Sequence, residues 1–291
     1  MVSEEGESIR DGMVQLGGQR RCRRCAVSRA VDYPDMGLAG SFHFYRPSWI
    51  HLDVLWWWIY EIPENHKKVS KEEIVYIHSG QGEVEGEKMP WLQLLKYRQT
   101  WSFVMGKFLT DPVWWFYVYW LPKFFNQRYG LDLAHLGFPL IVIYTMTSIG
   151  SIGGGWFSGA LIKGGSSINK GRKRVMLISA LLIVPIVFAS TVSEWWAVLL
   201  IGLAAAAHQS WPANLFTTVS DMFLKKAVGS VVGLGGMAGA VGGMLIATAG
   251  GFILQFTGSY LSLFIMAGSV YLLALLIIHL FVPEMKEVEI A

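Results

Sequence analysis

From Gln99 onward the chain alternates long apolar runs with short polar breaks. Six runs result: Gln99 to Leu121, Gly137 to Ile162, Val175 to Thr191, Glu194 to Val219, Ala227 to Phe256 and Tyr260 to Val282. Each reaches the roughly 17 residues or more that an α-helix needs to cross a hydrocarbon core about 30 Å thick. The pattern therefore predicts an all-α membrane protein with six transmembrane helices. Upstream the pattern is absent. Residues 1–48 are polar, contain glycine and have no helical or strand period, which predicts a disordered tail. The run WIHLDVLWWWIY from Trp49 to Tyr60 is apolar but short, and His51 and Asp53 interrupt it, so it reads as an incomplete span or an interfacial aromatic segment. A charged linker follows from Glu61 to Arg98. The division expected is residues 1–54 as tail and partial span, 55–98 as linker, and 99–291 as the helical part.

The runs differ in where they place polar residues. The third and sixth, with LLIVPIVFA and YLLALLIIHLFV, are apolar nearly all round and read as outer helices facing lipid. The second and fifth carry small residues four apart, as in Gly150/Gly154, Gly155/Gly159, Gly235/Gly239 and Gly239/Gly243. Such faces let helix backbones approach closely, either as fixed packing or as surfaces that slide against a partner domain.

The first run is the unusual one. KFLTDPVWWFYVYWLP puts Lys107 and Asp111 near the middle of a span, where each charge costs roughly 2.5–3.5 kcal/mol on insertion scales. Their i, i+4 spacing places both on one helix face, continued by Trp114, Trp115 and Val118, so they can pair with each other or with a ligand. Pro112 removes a backbone hydrogen bond beside the acid. The fourth run spaces Ser210, Asn214, Thr217, Thr218 and Asp221 by three or four with Trp211 alongside. That stripe suits either a sugar-like ligand or hydrogen bonds between helices. His208 lies off the stripe, which favours a structural role over a proton relay. Pro212 is expected to kink or break this helix. The candidate substrate-binding residues are Lys107, Asp111, Trp115, Trp211, Asn214 and Thr217.

Composition narrows the class. Hydrophobic residues make up 53% of the chain and charged residues only 15%, with a mean hydropathy of +0.41, as lipid-embedded chains require. A formal charge of +3 gives no basis for nucleic-acid binding. Charge matters instead through its loops. Lys67, Lys68, Lys71, Lys88, Lys96 and Arg98, then Lys163, Lys170, Arg172, Lys173 and Arg174, then Lys225 and Lys226, then Lys286 all fall on one side, against Lys123 and Arg128 on the other. The excess of Lys and Arg places the linker and the C-terminus in the cytoplasm. Cys22 and Cys25 form a lone C-x-x-C, a weak zinc or redox pattern best read as incidental thiols. The first forty residues hold no apolar core for a secretory signal peptide. Neither a nucleophile elbow, a metal-spaced ligand set nor a phosphate loop is present, so no enzyme, metal or cofactor is expected.

The segments GKFLTDPVWWFYVYWLP, GSIGGGWFSGALIK, AAAAHQSWPANLFTTVSDMF and VGSVVGLGGMAGAVGGML, in that order, closely resemble the C-terminal half of hexuronate transporters. These belong to the anion:cation symporter branch of the major facilitator superfamily. The resemblance begins near Leu55, with WWWIYEIPENHKKVSKEE like the end of a sixth span and a central loop, and runs to the C-terminus. It implies one six-helix half of a twelve-span bacterial inner-membrane carrier. The first and fourth helices would line a central cavity, the second and fifth would face the other half, and the third and sixth would pack outside. It implies as partners a sugar-acid anion such as glucuronate or galacturonate, a proton, the lipid bilayer, and an N-terminal half or second copy. Other sugar acids or organic anions are the alternative substrates, and a half-domain or inactive fragment that only associates is the alternative function. Residues 1–48 do not share the resemblance, which is what truncation or rearrangement of a carrier would leave. Two local departures are Gly159, where the superfamily's loop motif commonly has aspartate, and Pro212, where similar transporters tend to have a small helix-compatible residue.

Overall fold

A computed structural model describes residues 50–62, 64, 66, 69–79, 90–132 and 135–288. The expected tail over residues 1–48 and the Cys22/Cys25 pair lie outside them. The chain forms two compact units, residues 1–83 and 84–291. In the first, residues 50–59 are helical with their side chains exposed all round, and Lys71–Ser79 forms a second short helix. Trp56 and Tyr60 stack at 4.6 Å, as i and i+4 residues of one helix can.

The second unit contains six long helices, labelled here α1 (Arg98–Tyr129), α2 (Gly137–Lys163), α3 (Ile168–Ile183), α4 (Glu194–Met222), α5 (Lys225–Thr257) and α6 (Leu261–Phe281). A 3-10 stretch, Val184–Ser190, continues α3 to the residue before the expected end at Thr191, while α3 begins at Ile168, ahead of the expected Val175. The short helix Trp91–Leu94 precedes α1. It fell in the expected linker, yet Leu94 is fully buried and the Trp101 Nε1 donates to the Leu95 carbonyl at 2.8 Å, so this segment packs with the bundle. α2, α3 with its extension, α5 and α6 are each long and apolar enough to cross a membrane. α1 and α4 have the length; their internal charged and polar residues lower their hydropathy.

Helix ends follow local chemistry. Gly130 (φ 71°) and Gly258 (φ 62°) close α1 and α5 in the left-handed conformation that glycine adopts without a Cβ clash. The Ser167 hydroxyl accepts from the Lys170 N–H and caps α3. The break expected at Pro212 is absent as an interruption: α4 runs through Pro212, as α1 runs through Pro112 and Pro122. At Pro112 the carbonyl left without its i+4 donor is that of Phe108, and it faces Gly242 of α5.

Packing is pairwise: α2 lies along α4, α5 lies along α1, and α3 and α6 complete the bundle. The apolar α6 buries Leu263, Phe264, Ala267, Tyr271, Ala274 and Ile278 on one face and exposes Ile265, Leu272, Leu276 and Leu280 on the other. The small residues divide in the same way. Gly150 and Gly154 meet Ala206 and Ser210 of α4, and Gly235, Gly239, Gly242 and Gly243 meet Phe103, Asp111, Pro112 and Trp115 of α1. Gly153, Gly155, Gly159, Gly229, Gly233 and Gly236 have open space where a Cβ would stand. Fixed packing therefore accounts for the first set and leaves the second without a neighbour among the described residues.

This split predicts opposite outcomes for adjacent residues. Gly154→Leu must push α2 off α4 and should destabilise the bundle by about 1–3 kcal/mol or more, as overpacking does. Gly155→Leu should leave it unchanged. Thermal unfolding of the purified chain in detergent, read by size-exclusion recovery, checks the contrast.

Candidate functional site

The site is built where α1 meets α4 and α5. Lys107 and Asp111 occupy one face of α1, and the Lys107 Nζ lies 2.7 Å from the Asp111 Oδ2, with side chains 10% and 20% exposed. The i, i+4 spacing seen in the sequence thus becomes a buried ion pair. Two neighbours hold it. The Phe216 ring of α4 sits under the ammonium, 4.7 Å from Nζ to centroid, and Phe103 packs against that ring at 5.6 Å. On the other side Asp111 fills the space that a Cβ at Gly239 would take. Phe216 and Gly239 were not among the sequence candidates. Phe216 carried no polar signal, and Gly239 belonged to a repeating small-residue pattern that does not say which glycine faces an acid.

Trp115, one turn beyond Asp111, lies against Gly243 and stacks on Tyr119 at 5.6 Å. Phe103, Asp111 and Trp115 therefore sit in successive notches formed by Gly235, Gly239 and Gly243 of α5. The α4 candidates lie elsewhere. Trp211 has no exposed surface and meets Tyr271 of α6 edge-on at 5.3 Å. Asn214, also fully buried, donates to the Gly154 carbonyl of α2 at 3.2 Å and to the Ser210 carbonyl at 2.9 Å. Thr217 is half-buried and donates to the Asn214 carbonyl of its own helix at 2.7 Å. The structure brings Lys107, Asp111 and Trp115 onto one face, and sets Trp211 and Asn214 in the interior.

The rest of the α4 stripe is spoken for. Ser210 accepts from Ser179 of α3 at 2.9 Å. Asp221 accepts from the Arg172 Nε at 3.1 Å, while the Arg172 Nη1 donates to the Ser158 hydroxyl at 2.8 Å, so one guanidinium joins α2, α3 and α4 at the basic end. His208 is buried, stacks on Trp114 at 5.4 Å, and hydrogen-bonds through Nδ1 to the Tyr271 hydroxyl, which lies 3.4 Å from the Thr110 carbonyl. These contacts give His208 the structural role expected of it. Among the described residues no three His, Cys, Asp or Glu side chains are grouped to hold a metal.

No protein-family model matches the chain. A hexuronate transporter of Escherichia coli K12 is 27% identical over 242 residues, covering 81% of this chain and 56% of that protein. A probable galactarate/D-glucarate transporter of the same organism is 26% identical over 271 residues, covering 88% and 60%, and a D-galactonate transporter of E. coli O6:H1 is 24% identical over 214 residues, covering 69% and 50%. The chain is similar to sugar-acid transporters. It spans about half the length of the curated relatives it matches. The relatives named here are transporters rather than enzymes, and four apolar helices of crossing length place this chain with multi-pass membrane proteins.

The pair sets the next expectation. Removing one partner of a buried ion pair costs about 3–5 kcal/mol, because a charge is left uncompensated. Lys107→Met should therefore reduce the folded yield of the chain, and Lys107→Met with Asp111→Asn should restore most of it. Gly239→Ala, which leaves both charges in place but forces the carboxylate aside, should fall between. Folded yield after detergent extraction is the measurement.

Proposed function

We propose that this chain is the C-terminal six-helix half of a carrier that takes up hexuronates such as glucuronate or galacturonate with a proton. In this reading all six helices cross the bacterial inner membrane, and the basic end, with the linker and C-terminus, faces the cytoplasm. The Lys107–Asp111 pair carries the reading. An ammonium held in an apolar bundle needs a carboxylate, and a sugar acid brings one. When the substrate carboxylate replaces Asp111 beside Lys107, Asp111 is left without a cation and takes a proton, so that one anion and one proton are held together without net change of charge. Asp111 is then the coupling acid and Lys107 the anion-binding cation. Trp115 and Thr217 offer a ring and a hydroxyl to the sugar. Trp211 and Asn214, interior in the state described, hold α4 in place behind them. The sequence similarity to transporters named for hexuronate, galactarate or glucarate, and galactonate supports a sugar acid as the class.

A second reading rests on the unpartnered small residues. Gly153, Gly155 and Gly159 of α2 and Gly229, Gly233 and Gly236 of α5 are free of neighbours, with Trp156 strongly exposed beside them. Such faces fit another six-helix half, and a chain that only associates through them would bind a partner without transporting.

Uptake by cells lacking endogenous uronate carriers separates the readings. The chain co-expressed with a matching N-terminal half should accumulate labelled glucuronate in a proton-gradient-dependent manner, and the chain alone should not. Lys107→Gln should lower uptake at least tenfold, and an uncharged aldose should compete poorly. Association without uptake in the co-expressed pair sinks the carrier reading. For orientation, reporter fusions after Ser79 and Glu287 should report cytoplasm, and one after Phe125 the opposite side.

A further inference from the structure

A cavity of about 230 Å³ opens at the end of the bundle opposite the basic loops, between α1 and α5, lined by Trp120, Lys123, Gln127, Gly251, Leu254, Gln255, Gly258 and Tyr260. Its chemistry is one-sided. Lys123 holds its ammonium 5.2 Å from the Trp120 ring centroid and has no carboxylate partner among the described residues. The Gln127 Oε1 is taken by the Tyr260 hydroxyl at 3.0 Å, which leaves its amide N–H groups to face a ligand. The Trp120 Nε1–H is buried against Gly250 without an acceptor. Gln255 adds a further exposed amide. No Asp or Glu lines the cavity. The wall thus offers a cation and amide donors, with Leu254 and Gly251 as an apolar side, and lacks the negative charge that would repel an anion.

We propose that this cavity is a second binding site for a carboxylate-bearing, hydroxyl-rich ligand of sugar-acid size, separate from the Lys107–Asp111 pair. Lys123 receives the carboxylate, and the Gln127 and Gln255 amides receive hydroxyls. Sixteen residues of helix separate Lys107 from Lys123, about 24 Å at 1.5 Å per residue, so one monosaccharide cannot touch both. The volume is below the roughly 300–1,000 Å³ of drug-sized pockets, which fits one sugar ring and little more. The inference rests on the sugar-acid reading above, and on the outward direction of this end it makes the cavity a receiving site at the entrance. A phospholipid phosphate shares the anionic chemistry and is the competing occupant.

The test uses the purified chain in proteoliposomes with Cys22→Ser and Cys25→Ser, carrying Leu254→Cys as a reporter in the cavity wall. At glucuronate about tenfold above its Kd the free fraction of the site falls about tenfold, so alkylation of the reporter by a charged maleimide should slow by that factor. Adding Lys123→Gln should raise the half-protecting concentration at least about tenfold, the worth of a charge-assisted hydrogen bond. Adding Lys107→Gln together with Asp111→Asn, which removes the pair without leaving an uncompensated charge, should leave protection unchanged. The proposal is overturned if glucuronate gives no protection, if Lys123→Gln leaves the half-protecting concentration unchanged, or if protection disappears with the Lys107→Gln and Asp111→Asn pair. It is equally overturned if glycerol 3-phosphate protects as well as glucuronate, the result a lipid-headgroup site would give. Loss of protection with intact proton-dependent uptake rejects this site and keeps the carrier reading; failure of uptake in the co-expressed pair rejects the carrier reading itself.

Discussion

The Lys107–Asp111 pair is the constraint around which the bundle is arranged. Two charges on one turn of an apolar helix are tolerated only when they neutralise each other at close range and are shielded from hydrocarbon. The pair meets the first condition by its spacing, and α4 and α5 meet the second. Phe216 covers the ammonium, and Gly239 leaves room for the carboxylate. The same close approach of α5 brings Gly242 to the carbonyl that Pro112 leaves unpaired, and Gly243 to Trp115. A single feature, the absence of side chains along one face of α5, thus serves an ion pair, a proline and a tryptophan on α1.

The remaining polar groups of the interior are largely satisfied in place. Ser179 with Ser210, Asn214 with the Gly154 carbonyl, and His208 with Tyr271 and the Thr110 carbonyl join α1, α2, α3, α4 and α6 through hydrogen bonds that no lipid could supply. At the basic end Arg172 does the same for Asp221 and Ser158. The C-terminal segment is tied down beside it, with the Lys173 ammonium donating to the Val282 and Pro283 carbonyls at 2.6 and 2.7 Å and the Val288 N–H to the Met222 carbonyl at 2.8 Å. Polar groups engaged in this way set helix positions. Others keep capacity to spare: among the described residues the Tyr117 hydroxyl, the Trp211 Nε1–H and the Asn214 Oδ1 are buried without a partner, and Lys123 has no carboxylate beside it.

Much of this was legible in the chain. The number of long helices, most of their bounds apart from the end of α1 and the start of α3, the apolar character of α6, and the placing of Lys107 and Asp111 on one face all follow from periods of 3.6 residues and from the penalty on isolated charge. These are properties of a helix taken alone. Direction around the helix axis relative to its neighbours is not such a property, and it decided between the two readings left open for the α4 stripe. The stripe on α4 was read as one polar face, but Ser210 and Asn214 turn toward α2 and α3, Asp221 is captured by Arg172, and only Thr217 stays half-open. At Pro212 the expected break did not interrupt α4, which continues as one helix to Met222.

Sequence by itself therefore determined that the chain is helical, that it belongs in a membrane, and that its first long helix carries a charge pair too costly to be incidental. Tertiary structure decided which glycines meet a neighbour and which remain open, that Trp211 and Asn214 are interior, and that Lys123, Gln127 and Gln255 line one cavity from two helices. The physical reason is that helix formation and membrane partition depend on residues a few positions apart. Burial, shielding and shared cavities depend on residues as distant as Asp111 and Gly239, brought together only when α5 lies along α1.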